Sequence, residues 1–72
     1  MNVYIVLMRR YGDTDSHAYV LGAFDNLNNA VIEAKNERRY RGFKYEYEIM
    51  KYKLNDLKYQ LIISSNTNEN ND

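Results

Sequence analysis

Val3-Tyr4-Ile5-Val6-Leu7-Met8 carries an aliphatic, aromatic or thioether side chain at every position. This density of β-branched and aromatic residues predicts a strand over residues 2–8, with Val3, Ile5 and Leu7 on one face and Tyr4, Val6 and Met8 on the other. A strand that is apolar on both faces has to be covered on both. It therefore belongs in the middle of a sheet, with a helix over one face and something else over the second. A chain of 72 residues has little material for that task, since a domain of this size buries only about 60% of the surface its unfolded chain exposes.

The rest of the chain supplies the other elements. Arg9-Arg10-Tyr11-Gly12-Asp13-Thr14-Asp15-Ser16 is rich in turn formers, and residues 17–24 then alternate as a second strand, closing a long-looped hairpin. Period two places Ala18, Val20, Gly22 and Phe24 on one side and His17, Tyr19, Leu21 and Ala23 on the other. Asp25, or alternatively Asn26, can cap a helix over 26–41 whose inward stripe is Leu27, Ala30, Val31 and Ala34, with Arg38 and Arg41 extending it and Gly42 placed to stop it. Beyond Gly42, Phe43, Tyr45, Tyr47 and Ile49 alternate with Lys44, Glu46 and Glu48 as a half-buried strand. After Ile49 the phase inverts to Met50, Tyr52 and Leu54, which requires a bulge near Ile49-Met50 or a change of partner. Leu54-Asn55-Asp56 opens either a short helix or a fourth strand over 57–63. Residues 64–72 have no apolar side chain to offset ordering entropy and read as a loose polar tail. The expected architecture is one α+β domain over 1–63: a small antiparallel sheet in ββαβ order, first strand central, one helix on one face, and a C-terminal short helix or fourth strand.

Cysteine is absent, which removes disulfides, thiolate nucleophiles and sulfur-ligated zinc and makes the cytoplasm the expected location. No apolar run approaches the ~20 residues of a membrane span, and no secretory leader pattern is present, so neither a membrane nor a secreted location is expected. The small core leaves no room for a deep catalytic cleft, and the expectation is a non-enzymatic protein without a cofactor.

Few constellations could carry chemistry. Asp13, Asp15 and His17 are the one cluster of metal-ligand types, but they lack the glycine and distal glutamate of a calcium loop, and a turn explains them; no metal is expected. Arg38-Arg39-Tyr40-Arg41-Gly42-Phe43-Lys44 combines cations with rings, as a phosphate and base contact would require. The same cations suit a helix C-terminus, and ten basic residues are balanced by ten acidic ones, leaving no net charge. Glu33 and Glu37 lie one turn apart and read as a solvated helix face. Tyr4, Tyr45, Tyr47 and Tyr52, among eight tyrosines, suit either a half-buried sheet or a partner surface.

Val3-Tyr4-Ile5-Val6-Leu7, the Gly22-Ala23-Phe24-Asp25 lead into an Ala-bearing helix, and Tyr45-Glu46-Tyr47-Glu48-Ile49 together resemble the short strand-strand-helix-strand domains of unknown function found in phages and low-GC bacteria. The likeness covers residues 2 to 54. It rests on fold-determining residues and transfers no catalytic or binding residue. What it implies is context, because small phage proteins of this kind commonly bind and block host machinery, including defence proteins, in the host cytoplasm.

The leading expectation is accordingly a phage-type binding protein, homodimeric, acting on a host protein. Self-association is expected through Tyr4, Val6, Met8, Met50, Tyr52 and Leu54, since one helix can cover only one face of the first strand. The alternative is a nucleotide or nucleic-acid binding module using Arg38, Arg39, Tyr40, Arg41 and Lys44. An enzyme would need a site assembled between subunits around Asp13, Asp15 and His17.

Overall fold

The computed structural model describes residues 1–12 and 17–65. Four strands and one helix follow in the order β1 (Asn2–Arg10), β2 (Tyr19–Phe24), α1 (Leu27–Tyr40), β3 (Tyr45–Lys53) and β4 (Tyr59–Ser64). All strand pairings are antiparallel, and the sheet order is β2-β1-β3-β4, so β1 is internal as its apolar faces require. The segment after Leu54 is a fourth strand rather than a helix. Asn55 sits at φ 68 in the turn before it, a left-handed conformation that Asn tolerates better than most residues. The Asp56 amide closes that turn on the Lys53 carbonyl at 3.0 Å.

The helix start is fixed by Asn26, not Asp25. The Asn26 side chain accepts a hydrogen bond from the Asn29 amide at 2.8 Å. The far end closes with Gly42 at φ 67; the Gly42 amide donates to the Arg39 carbonyl and the Phe43 amide to the Arg38 carbonyl, the paired bonds of a Schellman stop. Ala30 and Ala34 are fully buried, and their small side chains let α1 lie close against β1, β2 and β3.

Directly paired residues of antiparallel strands share a face, so the register assigns each side of the sheet. Under the helix run three rows: Phe24-Tyr4-Lys51-Gln60, Gly22-Val6-Ile49-Ile63 and Tyr19-Met8-Tyr47. Val6, Met8 and Ile49 are completely buried and Tyr47 nearly so. On the opposite side run Val3-Tyr52-Tyr59, Ala23-Ile5-Met50-Leu61 and Val20-Leu7-Glu48-Ser64, followed by Arg9-Glu46.

This register corrects two expectations. Tyr4, Val6 and Met8 lie on the helix side, and Val6 and Met8 are the centre of the core, where no partner can reach them. The face of β1 left uncovered by the helix is the other one, Val3, Ile5 and Leu7. The second correction concerns β2, whose register with β1 shifts between Val6 and Leu7, leaving Leu21 as an additional residue. Leu21 therefore joins Tyr19 and Phe24 against the core, while Val20 turns outward and is 60% exposed. Simple alternation groups Val20 with Phe24 instead.

The phase inversion in β3 has an equally local cause. Pairing with β1 runs without interruption from Tyr45 to Lys53, so the strand neither bulges nor changes partner against β1. Its apolar residues change sides: Tyr47 and Ile49 face the helix, Met50 and Tyr52 face away. The irregularity falls on β4, where the register shifts opposite Ile49/Met50 and Ile62 is the additional residue. Structure also extends past residue 63. Ser64 ends β4, and the buried Ser65 hydroxyl accepts the Tyr47 amide at 2.8 Å.

Candidate functional site

Three surfaces carry the residues that sequence singled out. The first is the uncovered side of the sheet. Val3, Ile5, Leu7, Met50 and Tyr52 are half-buried by one another. Val20, Tyr59 and Leu61 are exposed, and Tyr52 and Tyr59 stack at 5.3 Å between ring centres. At one end the surface is bounded by Arg9 and Glu48, whose charged groups meet at 3.6 Å. Of the residues expected at an interface, Met50 and Tyr52 belong to this surface, and Leu54 is exposed just past β3. The Leu54 amide extends the ladder to the Met1 carbonyl at 2.9 Å. Val3, Ile5, Leu7, Val20, Tyr59 and Leu61 were missed, because which face a helix takes is set by the register and not by the apolarity of one strand.

The second is a clamp between the helix end and the sheet. Arg41 Nε donates to the Tyr19 hydroxyl at 3.2 Å and to Glu37 Oε2 at 3.3 Å, and the Tyr19 hydroxyl donates a short bond to the same carboxylate. The Arg41 guanidinium also lies 5.3 to 5.8 Å from the ring centres of Tyr19, Tyr45 and Tyr40. Arg41 is thereby committed to holding α1 onto β2 and β3. Glu37 faces β2 rather than solvent. Tyr40 remains 79% exposed above this cluster. Lys44 is exposed and joins neither this cluster nor the cavities beside β4.

Burial, and then the hydrogen bond to Glu37, raise the Tyr19 hydroxyl above its ordinary pKa of 10.0, against the opposing pull of Arg41. The folded chain thus keeps a proton that the unfolded chain releases first. The resulting stabilisation is complete below pH 10.0 and is lost as pH rises through the higher folded value. Tyr19→Phe removes this contribution. In denaturant titrations, the stability gap between the parent and Tyr19→Phe is expected to be constant at neutral pH and to narrow above pH ~10. A gap that stays constant into strong alkali overturns the assignment.

The third surface lies on the helix side of β3 and β4. Because α1 rests on β1, β2 and β3, the flank of the helix and the uncovered part of β4 enclose a cavity of about 420 Å³. Its floor is Val31, Tyr47 and Ile63, and its rim is Lys35, Arg38 and Arg39 with Phe43. Farther along the same strands, Lys51, Lys53 and Lys58 border a second cavity of about 330 Å³ that also includes Asp56. Of the Arg/Tyr cluster expected from sequence, the structure brings only Arg38 and Arg39 to these cavities. Lys35, Lys51, Lys53 and Lys58 were missed, because they are scattered in sequence and meet only across the strand pairing.

His17 is exposed, whereas Asp13 and Asp15 lie outside the described residues. Among the described residues no group of acidic and imidazole side chains is arranged to hold a metal ion, and no helix is long and apolar enough to cross a membrane. Comparison with family models, with curated proteins and with solved structures returns no match, so the likeness of residues 2 to 54 to short phage-type domains stands on its quoted residues alone.

Proposed function

We propose that the chain is a non-enzymatic binding protein that works as a homodimer, with two copies joined through the uncovered side of the sheet. The supporting observation is the apolar surface formed by Val3, Ile5, Leu7, Val20, Met50 and Leu61, opposite the helix-covered core. Four strands of six to nine residues make a face of roughly 20 by 25 Å. Side-chain corrugation brings that face toward the ~800 Å² per partner of a standard interface.

A second copy is the occupant that fits. The boundary charges Arg9 and Glu48 already compensate each other, so the surface does not call for a partner of strong opposite charge. The residues after Ser65, Asn-Thr-Asn-Glu-Asn-Asn-Asp, have no apolar side chain to offer it. A two-fold axis lets one apolar patch satisfy itself, and two such faces stack about 10 Å apart as a sandwich. Both helices then point outward, available to a target.

Sedimentation equilibrium tests this reading. The parent chain is expected to associate to a dimer at micromolar concentration. Val20→Lys combined with Leu61→Lys, both exposed in a single chain, is expected to give a folded monomer. A parent that remains monomeric at high micromolar concentration overturns it, as does a double variant that still dimerises.

A further inference from the structure

Zero net charge conceals a sided distribution. The two cavities on the helix side of β3 and β4 together carry Lys35, Arg38, Arg39, Lys51, Lys53 and Lys58, against one acid, Asp56. None of the six is paired to a carboxylate among the described residues. Arg41 is held by Glu37 and Arg9 by Glu48, on other surfaces. Tyr47 lines the first cavity and Lys51 and Lys53 the second. Tyr47 lies four and six residues along β3 from Lys51 and Lys53, about 13 to 20 Å at ~3.3 Å each, so the two cavities follow one another along the strand. The arrangement is a track rather than a point.

Two details at the first cavity indicate which polyanion suits the track. Among the described residues, buried Arg38 Nε has no hydrogen-bond acceptor, and the guanidinium's hydrogen bond is to the Tyr11 hydroxyl, at 3.5 Å. Phe43 adopts φ 62 directly after Gly42 at φ 67. A bulky residue in the left-handed region costs about 1 kcal/mol or more, and burial does not offset it here, because Phe43 stays 58% exposed. The strained backbone holds the ring at the rim, with the Arg38 guanidinium 5.6 Å from its centre. A ring so placed, beside cations that no carboxylate among the described residues pairs, is a stacking platform of the kind that single-strand binders use.

We propose that single-stranded nucleic acid lies along the helix side of β3 and β4. Its phosphates rest on Lys35, Arg38 and Arg39 at one end and on Lys51, Lys53 and Lys58 at the other, and one base stacks on Phe43. A flexible strand can follow the angle between the helix flank and β4, whereas a rigid duplex cannot enter it. The site lies on the side of the sheet opposite the dimer surface, so the two readings stand or fall separately.

The test is fluorescence anisotropy with a labelled oligothymidylate of about twelve nucleotides, within the usual range of single-strand sites. At low salt the parent chain is expected to bind it, and the logarithm of affinity to fall with that of salt concentration with a slope of about −4 if six phosphates are engaged. Lys35→Gln with Arg39→Gln, and separately Lys51→Gln with Lys53→Gln, should each reduce that slope by about 1.4. Phe43→Gly removes the ring and relieves the backbone, so it should weaken binding with the slope unchanged while thermal stability holds or rises.

Absence of binding at low salt overturns the proposal. So does an unaltered slope in the Lys51/Lys53 variant, which would reduce the track to a single anion site. Equal displacement by inorganic polyphosphate would show a bare polyanion surface, and equal or tighter binding of duplex would show a different mode; either also overturns it. Sedimentation of the same samples reports on dimerisation independently, so loss of one property is not mistaken for loss of the other.

Discussion

Ile49→Ala is expected to lower stability by about 2 to 5 kcal/mol, while Met50→Ala, one residue along, costs only about 1 to 2 kcal/mol in a single chain, where burial is incomplete. Ile49 is fully buried between Val6 and Ile63 beneath the helix. Deleting three carbons there leaves a void that β1, β4 and α1 cannot close without moving together. Met50 points to the opposite side, between Ile5 and Leu61. Domains of this length have only about 0.05 to 0.15 kcal/mol of stability per residue, so the Ile49 variant should unfold at a temperature lower by ten degrees or more, or not fold. Thermal melts followed by circular dichroism measure both. The Met50 effect should also grow with protein concentration, because a residue at a dimer surface is stabilised by mass action. Equal losses at both positions, independent of concentration, would mean that the assignment of faces is wrong.

That contrast shows how far the chain can be read without coordinates. The central place of β1 is legible because Val3 to Met8 leaves no polar side. Strand against helix is legible elsewhere because the apolar period changes from two to that of a helix at Leu27 and back to two after Gly42. The choice of face is not legible. Tyr4, Val6 and Met8 are as apolar as Val3, Ile5 and Leu7, and nothing in β1 alone says which set receives the helix. Two residues elsewhere decide it: Gly22 opposite Val6, with the Phe24 ring packed over the glycine, and Ile49 on the other flank. The irregular positions of Leu21 and Ile62 are hidden for a related reason. A bulge inserts one residue without any special composition, so alternation continued past it assigns the wrong side.

Cationic residues pose the opposite difficulty. The Arg38 to Lys44 cluster is conspicuous in sequence, yet the fold uses Arg41 to fix Tyr19, Glu37 and Tyr45 in place. The basic track keeps Arg38 and Arg39 and adds Lys35 from α1, Lys51 and Lys53 from β3, and Lys58 from the turn before β4. Contiguity in sequence marks a helix end. Charge that gathers across strands needs the register before it can be seen.

The same register makes β4 indispensable, although sequence left its structure undecided. A chain ending at Leu54 loses Ile62 and Ile63, both packed against the core, at about 1.5 to 3 kcal/mol each. It also loses the Ser65 hydroxyl that accepts the Tyr47 amide, a hydrogen bond with a net contribution of about 1 kcal/mol. The sum is comparable to the whole stability of a domain of this size, at about 0.05 to 0.15 kcal/mol per residue. β3 would become an edge with Ile49 open to water. The truncated chain is therefore expected to show no cooperative thermal transition, whereas Ser65→Ala in the full chain, which removes only the hydroxyl, should melt cooperatively at a temperature lower by several degrees. If the truncated chain melts as sharply and as high as the parent, β4 contributes nothing to the core, and the helix with three strands is the folding unit.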